Sequence, residues 1–371
     1  MDFILTAEQQ MLGDSVARFV QNEYDFEART KIVAADEGGS PANWRIFAEN
    51  GWLAASSPEE FGGFGGGAIE AAIIAEQFGR ALVIEPWLGS AVLATQTLLA
   101  SDDAAVKADW LPALAEGRRR LAVAWSEAES RGAPDIVETR AAGAGDNVEL
   151  TGRKTLVLGG VGADAYLVSS RDGGAIGLFL VDADAAGLTV TPAALHDGNI
   201  AATLSLDGVP ARRLAGDGLA ALETGLAHAI CALCAELVGG MERAIEISAD
   251  YLRTRKQFGV TIGSFQSLQH RIADMAAEKE LARSMLFAAL ASIENDDAAR
   301  RASALSGAKL LVADAARGVC AQAIQLHGGI GMTEECAVGH YFKRAVVAEA
   351  LFGGRTVHEG RLVAGLQGEA A

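Results

Sequence analysis

Apolar residues recur at helical spacing through the first third of the chain. Leu12, Val16, Phe19 and Val20 form one stripe, and Thr6 with Gln9 supplies a capping-box start ahead of it. The same spacing predicts helices over 41–50, 68–80, 85–100 and 102–116. Between them, SSPEEFGGFGGG (56–67) reads as a tight surface loop. It has neither the lysine of a G-x-x-x-x-G-K-[ST] motif nor a preceding strand, so it does not read as a phosphate cradle. Near Arg118–Arg120 the period shortens to two. RLAVAWSE, NVELTGRKTLVLGG, AYLVSS, AIGLFLVDAD, LTVTP and ATLSLDG follow one another between Gly, Asp and Asn residues. Short strands at that spacing predict an antiparallel barrel or sandwich of roughly 100 residues. There is no βαβ rhythm and no G-x-G-x-x-G after a strand, which argues against a dinucleotide-binding α/β domain. The three arginines read as a solvated boundary loop. From Leu214 onward, Ala- and Leu-rich helices are predicted over 218–254, 264–294, 298–326 and 334–351, a bundle pattern. The expected fold class is multidomain α+β. It comprises an N-terminal α-helical domain (1–118), a middle antiparallel β domain (119–213) and a C-terminal four-helix bundle (214–371), packed as one unit.

Composition narrows the function classes. With Lys+Arg 31 against Asp+Glu 48, the net charge is −17. A general nucleic-acid or anionic-membrane binder needs a basic surface, so neither is expected as a main partner. A local arginine pocket for an anionic small ligand stays compatible with that mean field. The opening MDFILTAEQQ is acidic and soon polar, unlike a signal peptide. A reduced, cytoplasmic setting is therefore expected for Cys231, Cys234, Cys320 and Cys336. Cys231 and Cys234 read C-x-x-C within a helical run but lack a second pair or nearby histidines, so they are expected as small core residues, with no metal. His228 and Glu236 interrupt that run, and no membrane span is expected.

The most informative segment is YLRTRKQFGVTIGSFQSLQHRIADM (251–275). Tyr251 and Arg255 are four apart on one helix face, Phe258-Gly259 breaks the helix, and Gly263-Ser264 caps a new one beginning Phe265-Gln266. A guanidinium fixed beside a helix N-terminus suits a pyrophosphate, while an inter-helix ion pair would explain Arg255 equally well. In QLHGGIGMTEE (325–335), glycines stop a helix where backbone amides can approach a ligand. His327 offers a base, but no nucleophile motif such as G-x-S-x-G accompanies it.

Together these residues resemble the acyl-CoA dehydrogenases, from PEEFGG through RKQFG, FQ and ADM to QLHGGIGM, over essentially the full length. The tail GHYFKRAVVAEALFGG (339–354) is similar to the small subunit of pimeloyl-CoA dehydrogenase and related short bacterial members. The resemblance implies FAD-dependent α,β-dehydrogenation of an acyl-CoA thioester in acyl-CoA catabolism, with electrons passed to an acceptor flavoprotein. A carboxylate takes the α-proton, the β-hydride passes to the flavin, and donors on the thioester carbonyl hold the developing charge. In the family the FAD tail lies across a subunit interface. Carried over, Arg255, Gln257, Phe258, Phe265, Gln266, Gln325, Gly328 and Gly329 would contact a neighbour's adenosine diphosphate, and all eight match.

The ring side departs from the family pattern. The usual base sits in a tyrosine-glutamate-glycine-threonine stretch, which here reads Phe352-Gly353-Gly354-Arg355. The alternative base position falls at Ala229. The strand that offers Trp and Thr to the flavin reads Lys154-Thr155-Leu156-Val157-Leu158, and the facing loop reads Ser126-Glu127-Ala128-Glu129-Ser130-Arg131-Gly132, where Ser126 keeps the first polar position. Departures on one side only imply a subunit of a heteromeric enzyme, lending its adenine side to a complete second subunit. Two alternatives are a self-sufficient flavoenzyme (homo-oligomeric) using His228, Glu236 or Glu349 as base, and a non-catalytic CoA-thioester-binding protein.

Overall fold

The structure, a computed structural model, describes residues 4–369 apart from Asp36, Gly145, Asp146 and Asp296. Its first region is helical. Helix α1 (Ala7–Asn22) starts at the expected capping box, in which Thr6 Oγ1 accepts the Gln9 N–H and Gln9 Oε1 accepts the Thr6 N–H. Then come α2 (Phe26–Ala35), α3 (Pro41–Glu49), α4 (Ala68–Ala81), a π-helical turn (Leu88–Ala94) running into α5 (Thr95–Leu99), and α6 (Ala104–Ala115). The glycine-rich connection is less superficial than expected. Ser56 and Ser57 are buried, and a Cβ at Gly63 would lie 2.0 Å from the Ser57 carbonyl oxygen, so the segment folds onto its own backbone. Nor are the boundary arginines all solvated. Only Arg118 is exposed, while Arg119 lies over the Trp110 ring at 4.2 Å and pairs with Asp109.

Seven strands follow: β1 (Leu121–Ala124), β2 (Arg140–Ala144), β3 (Asn147–Leu158), β4 (Ala165–Asp172), β5 (Ala175–Asp182), β6 (Leu188–Ala194) and β7 (Ile200–Arg213). The path β4-β2-β3-β7-β5 closes by β5 pairing with β4, and β6 adds to β7. The sheet is not purely antiparallel: β1 runs parallel to β4, with Leu121 opposite Ala165, and β2 meets β4 in parallel at one bridge. A parallel partner needs a long crossover, and here the 128–139 loop with the β2–β3 hairpin provides it. Tyr166, Val168, Phe179, Val181 and Leu204 fill the inside of this barrel.

The C-terminal region holds α7 (Gly218–Thr254), α8 (Gln266–Ser292), α9 (Ala298–His327), α10 (Ala337–Ala350) and a further helix, α11 (Arg355–Glu369), packed on α9. By length and apolarity α7 could cross a membrane, contrary to expectation; here it runs through the protein core, with Cys231 and Cys234 fully buried and unpaired. Glycines let neighbouring helices touch its backbone. A Cβ at Gly79 would sit 1.9 Å from the Glu236 carbonyl oxygen, one at Gly239 would sit 1.9 Å from that of Glu76, and one at Gly225 would sit 1.9 Å from Thr97 Oγ1. One apolar core joins the first region, β1 and α7–α10. A buried polar knot ties the same three regions together. Arg344 on α10 pairs with Glu236 on α7 (2.5 and 2.9 Å) and Asp197 before β7 (2.8 Å), and Arg29 on α2 donates to the Asp197 carbonyl.

Candidate functional site

Two clusters carry the residues singled out by sequence. The first is an arm at the far end of α7. The helix stops at Thr254, at the end of its predicted range, because Arg255 turns extended after its N–H donates to the Tyr251 carbonyl. Lys256–Gln257 and Val260–Thr261 then pair as a two-residue hairpin. Phe258 and Gly259 form its turn, with φ of +52° and +82°, the pair of positive values that a type I′ turn requires. Phe258 is 91% exposed and meets the Phe265 ring edge-on at 6.3 Å. Ser264 does not cap α8 as expected. Its hydroxyl donates to the Thr261 carbonyl, and Phe265 takes the N-cap position with no side-chain acceptor for the first N–H groups.

The C-terminus of α9 lies beside this arm. His327 stacks on Tyr251 with ring centroids 4.4 Å apart and aligns with the Ala323 carbonyl through Nδ1, so it is buried between helices and not poised as a base. Gly328 (φ +64°) turns the chain, leaving Gln325, Gly328 and Gly329 exposed next to Ile330 and Met332. Arg255, Gln257 and Gln266 are exposed too, and among the described residues Arg255 makes no ion pair, so the ion-pair explanation finds no partner. The arm therefore presents cationic and amide donors, an uncapped helix N-terminus and an apolar ledge on one surface. That combination suits a dinucleotide tail, whose pyrophosphate takes N–H donors and whose adenine takes apolar contact.

The second cluster surrounds a cavity of about 300 Å³ between β1, β3 and the turn after α10. Trp125, Ser126, Thr155, Leu156, Leu158 and Phe352 line it. A bulge at Thr155-Leu156, with Leu156 at φ +53°, turns β3 there, and the Thr155 N–H donates to the Ser126 carbonyl at 2.8 Å. Behind it lies a buried ion pair that the sequence reading missed: Lys154 Nζ reaches Glu127 Oε1 at 2.6 Å and Ser169 Oγ at 3.0 Å. Burial pulls the Lys154 pKa down to about 8, against the opposing pull of Glu127. Glu127 also accepts from Thr139 and the Glu138 N–H, so both of its oxygens are committed.

No carboxylate faces this cavity from the turn. Gly353 occupies the base position, with φ +102°, and Ala229 is fully buried in α7. The other candidate bases are engaged elsewhere. Glu236 is held by Arg344, and Glu349 pairs with Arg317 at 3.2 Å. His228 is not among the residues lining the cavity, and burial lowers its pKa to about 4.

His358 on α11 is a second such histidine, 1% exposed, between Ser306 Oγ (3.1 Å) and the Phe352 carbonyl (3.2 Å). Burial lowers its pKa from 6.5 to about 4. Between those values the unfolded chain binds a proton that the folded one refuses, so stability is full above pH 6.5 and falls on acidification. One such histidine carries up to about 3 kcal/mol across that window. His358→Asn is expected to cut proton uptake on unfolding between these pH values by about one, measured from the pH dependence of urea midpoints.

The acyl-CoA dehydrogenase N-terminal domain model matches residues 6–118 and the C-terminal domain model matches 216–366. Acyl-CoA dehydrogenase FadE27 of Mycobacterium tuberculosis is 30% identical, with 96% of each chain covered. Acyl-CoA dehydrogenase IpdE2 of the same organism is 33% identical, with 91% of each covered. Among solved structures, a variant of the steroid acyl-CoA dehydrogenase Tcur3481-Tcur3483 superposes with a TM-score of 0.90 at 30% identity, covering 98% of this chain and 99% of that one. The ChsE4-ChsE5 complex of M. tuberculosis gives 0.90 at 29%, with 99% of each covered. With both domain models matched and relatives aligned nearly end to end, the chain belongs to the acyl-CoA dehydrogenase family of FAD-dependent oxidoreductases.

Proposed function

We propose that this chain is one subunit of a heteromeric acyl-CoA dehydrogenase, completing the FAD site of a second, catalytically competent subunit. One observation carries the reading: of the eight adenine-side motif residues, seven on the arm and the neighbouring end of α9 are exposed and Phe265 is half-buried, while the turn beside the cavity carries Gly353 where the family has its base. FAD, when bound, supplies the hydride acceptor for an acyl-CoA thioester. The arm residues fit its tail. Arg255 and the uncapped N-terminus of α8 would offset the charge of its pyrophosphate, Gln257, Gln266 and Gln325 would supply polar contacts to the adenosine part, and Phe258 and Phe265 would supply apolar contact. Gly328 and Gly329 leave room for the close approach of backbone. Ser126 stands apart, in the cavity. The ChsE4-ChsE5 neighbour is itself a complex of unlike subunits.

The regions 1–118, 119–213 and 214–371 act as one rigid support for the arm, joined through Arg344. A cytoplasmic location and delivery of electrons to an acceptor flavoprotein complete the reading; the free cysteines support the former. Co-expression with a neighbouring dehydrogenase-like subunit tests it. The expected assembly holds one flavin per pair of unlike subunits. Arg255→Ala with Gln257→Ala is expected to weaken flavin retention by about tenfold or more, as loss of a charge-assisted contact does. An isolated chain that carries stoichiometric flavin and oxidises acyl-CoA with an artificial acceptor overturns it.

A further inference from the structure

The cavity on this chain's own ring side is narrowed by a backbone contact at its border, besides lacking a carboxylate on the turn. An ideal Cβ on Gly132 would lie 2.6 Å from the Cα of Gly353 and 2.9 Å from its nitrogen, so the 126–132 loop and the turn after α10 are in direct contact. From the other side, a Cβ on Gly353 would meet His358 Nε2 at 3.2 Å and the Gly132 carbonyl oxygen at 3.3 Å. Both glycines have positive φ, +90° and +102°, and their neighbours Arg131 and Phe352 do as well, at +49° and +59°. Two adjacent pairs of positive-φ residues meeting at one contact need a surrounding that holds them.

Buried groups supply that hold on each side. Ser130, 2% exposed, donates to the Glu127 carbonyl and accepts from the N–H groups of Glu127 and Gly132, while Glu127 is anchored by Lys154. Across the contact, His358 bonds the Phe352 carbonyl, and Lys309 Nζ donates to the Ala348 and Glu349 carbonyls at the end of α10. The space left beside the contact is about 300 Å³, which is the floor for a small-molecule site. A three-ring flavin stacked on a thioester needs the loop and the turn to stand apart, and the hydrogen bonds on each side hold them together.

We propose that the Gly132–Gly353 contact is a steric lock that excludes a flavin ring from this chain's own cavity and so limits the assembly to the partner's site. The proposal rests on the heteromeric reading above and explains how unlike subunits keep one site silent. It also makes the base costly to regain by one substitution: Gly353→Glu puts a side chain on a residue at φ +102°, with its Cβ 3.2 Å from His358 Nε2 and 3.3 Å from the Gly132 carbonyl oxygen.

The test uses the assembled complex, its partner site filled with FAD, and FMN as probe, which carries the ring without the adenosine that the arm would hold. Trp125 lines the cavity and reports occupancy. FMN is expected to produce no saturable difference in quenching between the wild-type complex and Trp125→Phe. A saturating difference at one equivalent overturns the lock. His358→Asn is expected to speed amide exchange at Phe352–Gly354 by about tenfold, the effect of losing one buried hydrogen bond. If that variant does not fold, Ser306→Ala, which removes the other partner of the imidazole, is expected to speed exchange there to a smaller extent. Unchanged exchange in the variant that folds overturns the hold assigned to His358. The arm double variant separates the two ideas. Loss of the partner's flavin in that variant upholds the heteromeric reading whatever FMN does, and its retention sinks that reading while the FMN result still reports on the lock.

Discussion

Arg344→Met is expected to lower the free energy of unfolding by about 3–5 kcal/mol, the cost of leaving buried charges without their partner. Burial works against the charge of Arg344, but Glu236 and Asp197 outweigh it and hold its pKa above the ordinary arginine value. The Asp197 side chain is fully buried and that of Glu236 nearly so, and neither has a second cation within salt-bridge distance among the described residues. Methionine matches the length of the arginine stem but leaves two carboxylates in a low-dielectric junction. Urea unfolding measures the loss. Adding Glu236→Gln to Arg344→Met is expected to recover part of it, because one of the stranded charges is then removed. A loss below about 1 kcal/mol, the range of exposed pairs, would show that the junction opens to water.

Gly239→Ala is expected to destabilise the packing of α4 on α7. Alanine inside a helix is ordinarily worth about 1 kcal/mol over glycine, so the expected sign depends on the space available. At Gly239 there is none: the Cβ would lie 1.9 Å from the Glu76 carbonyl oxygen, and Gly79 makes the reciprocal contact on Glu236. The new methyl must separate α4 from α7, and a net loss of about 3 kcal/mol is expected, at the upper end for overpacking. Gly318 in α9 has nothing within 4 Å of its Cβ position. Gly318→Ala is therefore expected to gain about 1 kcal/mol from propensity alone. Opposite signs for the same chemical change, read by thermal or urea midpoints, would establish that close helix contact demands glycine at 239.

Much of this architecture was legible before the fold was seen. The capping box at Thr6, the run from Gly218 to Thr254 and the alternating segment from Leu121 to Arg213 all carry strong periodic signals. Helix α2 escaped because only Arg29 is buried on it, so no apolar stripe marks its face. Strand β2, RAAGA, has no β-branched residue, and its place depends on pairing with β3. The parallel β1–β4 pairing joins residues over 40 positions apart, beyond the reach of local pattern.

The site divides the same way. The residues proposed for the adenine side fall in two short runs, 255–266 and 325–329, each of which resembles the family pattern residue by residue. Placing Phe258 at positive φ could not be foreseen from propensity, since a bulky residue there is uncommon. The Lys154–Glu127 pair and the contact of Gly132 with Gly353 bring together residues from distant segments. Their composition alone, a lysine in a strand and two glycines in turns, resembles ordinary surface features.

Helix α7 also sets a limit on how the chain can change length. Its first residue, Gly218, lies against the β5 backbone, where a Cβ would come within 2.6 Å of the Leu178 nitrogen, and its last leads into the arm. Its 37 residues form a rod about 55 Å long at 1.5 Å per residue. Deleting one residue within it would shift the arm by only about 1.5 Å along the axis but turn it by about 100°, carrying Arg255 and Gln257 away from Gln325. Insertions and deletions are thus excluded from 218–254, whereas the exposed β4–β5 turn at Gly173-Gly174 can absorb them.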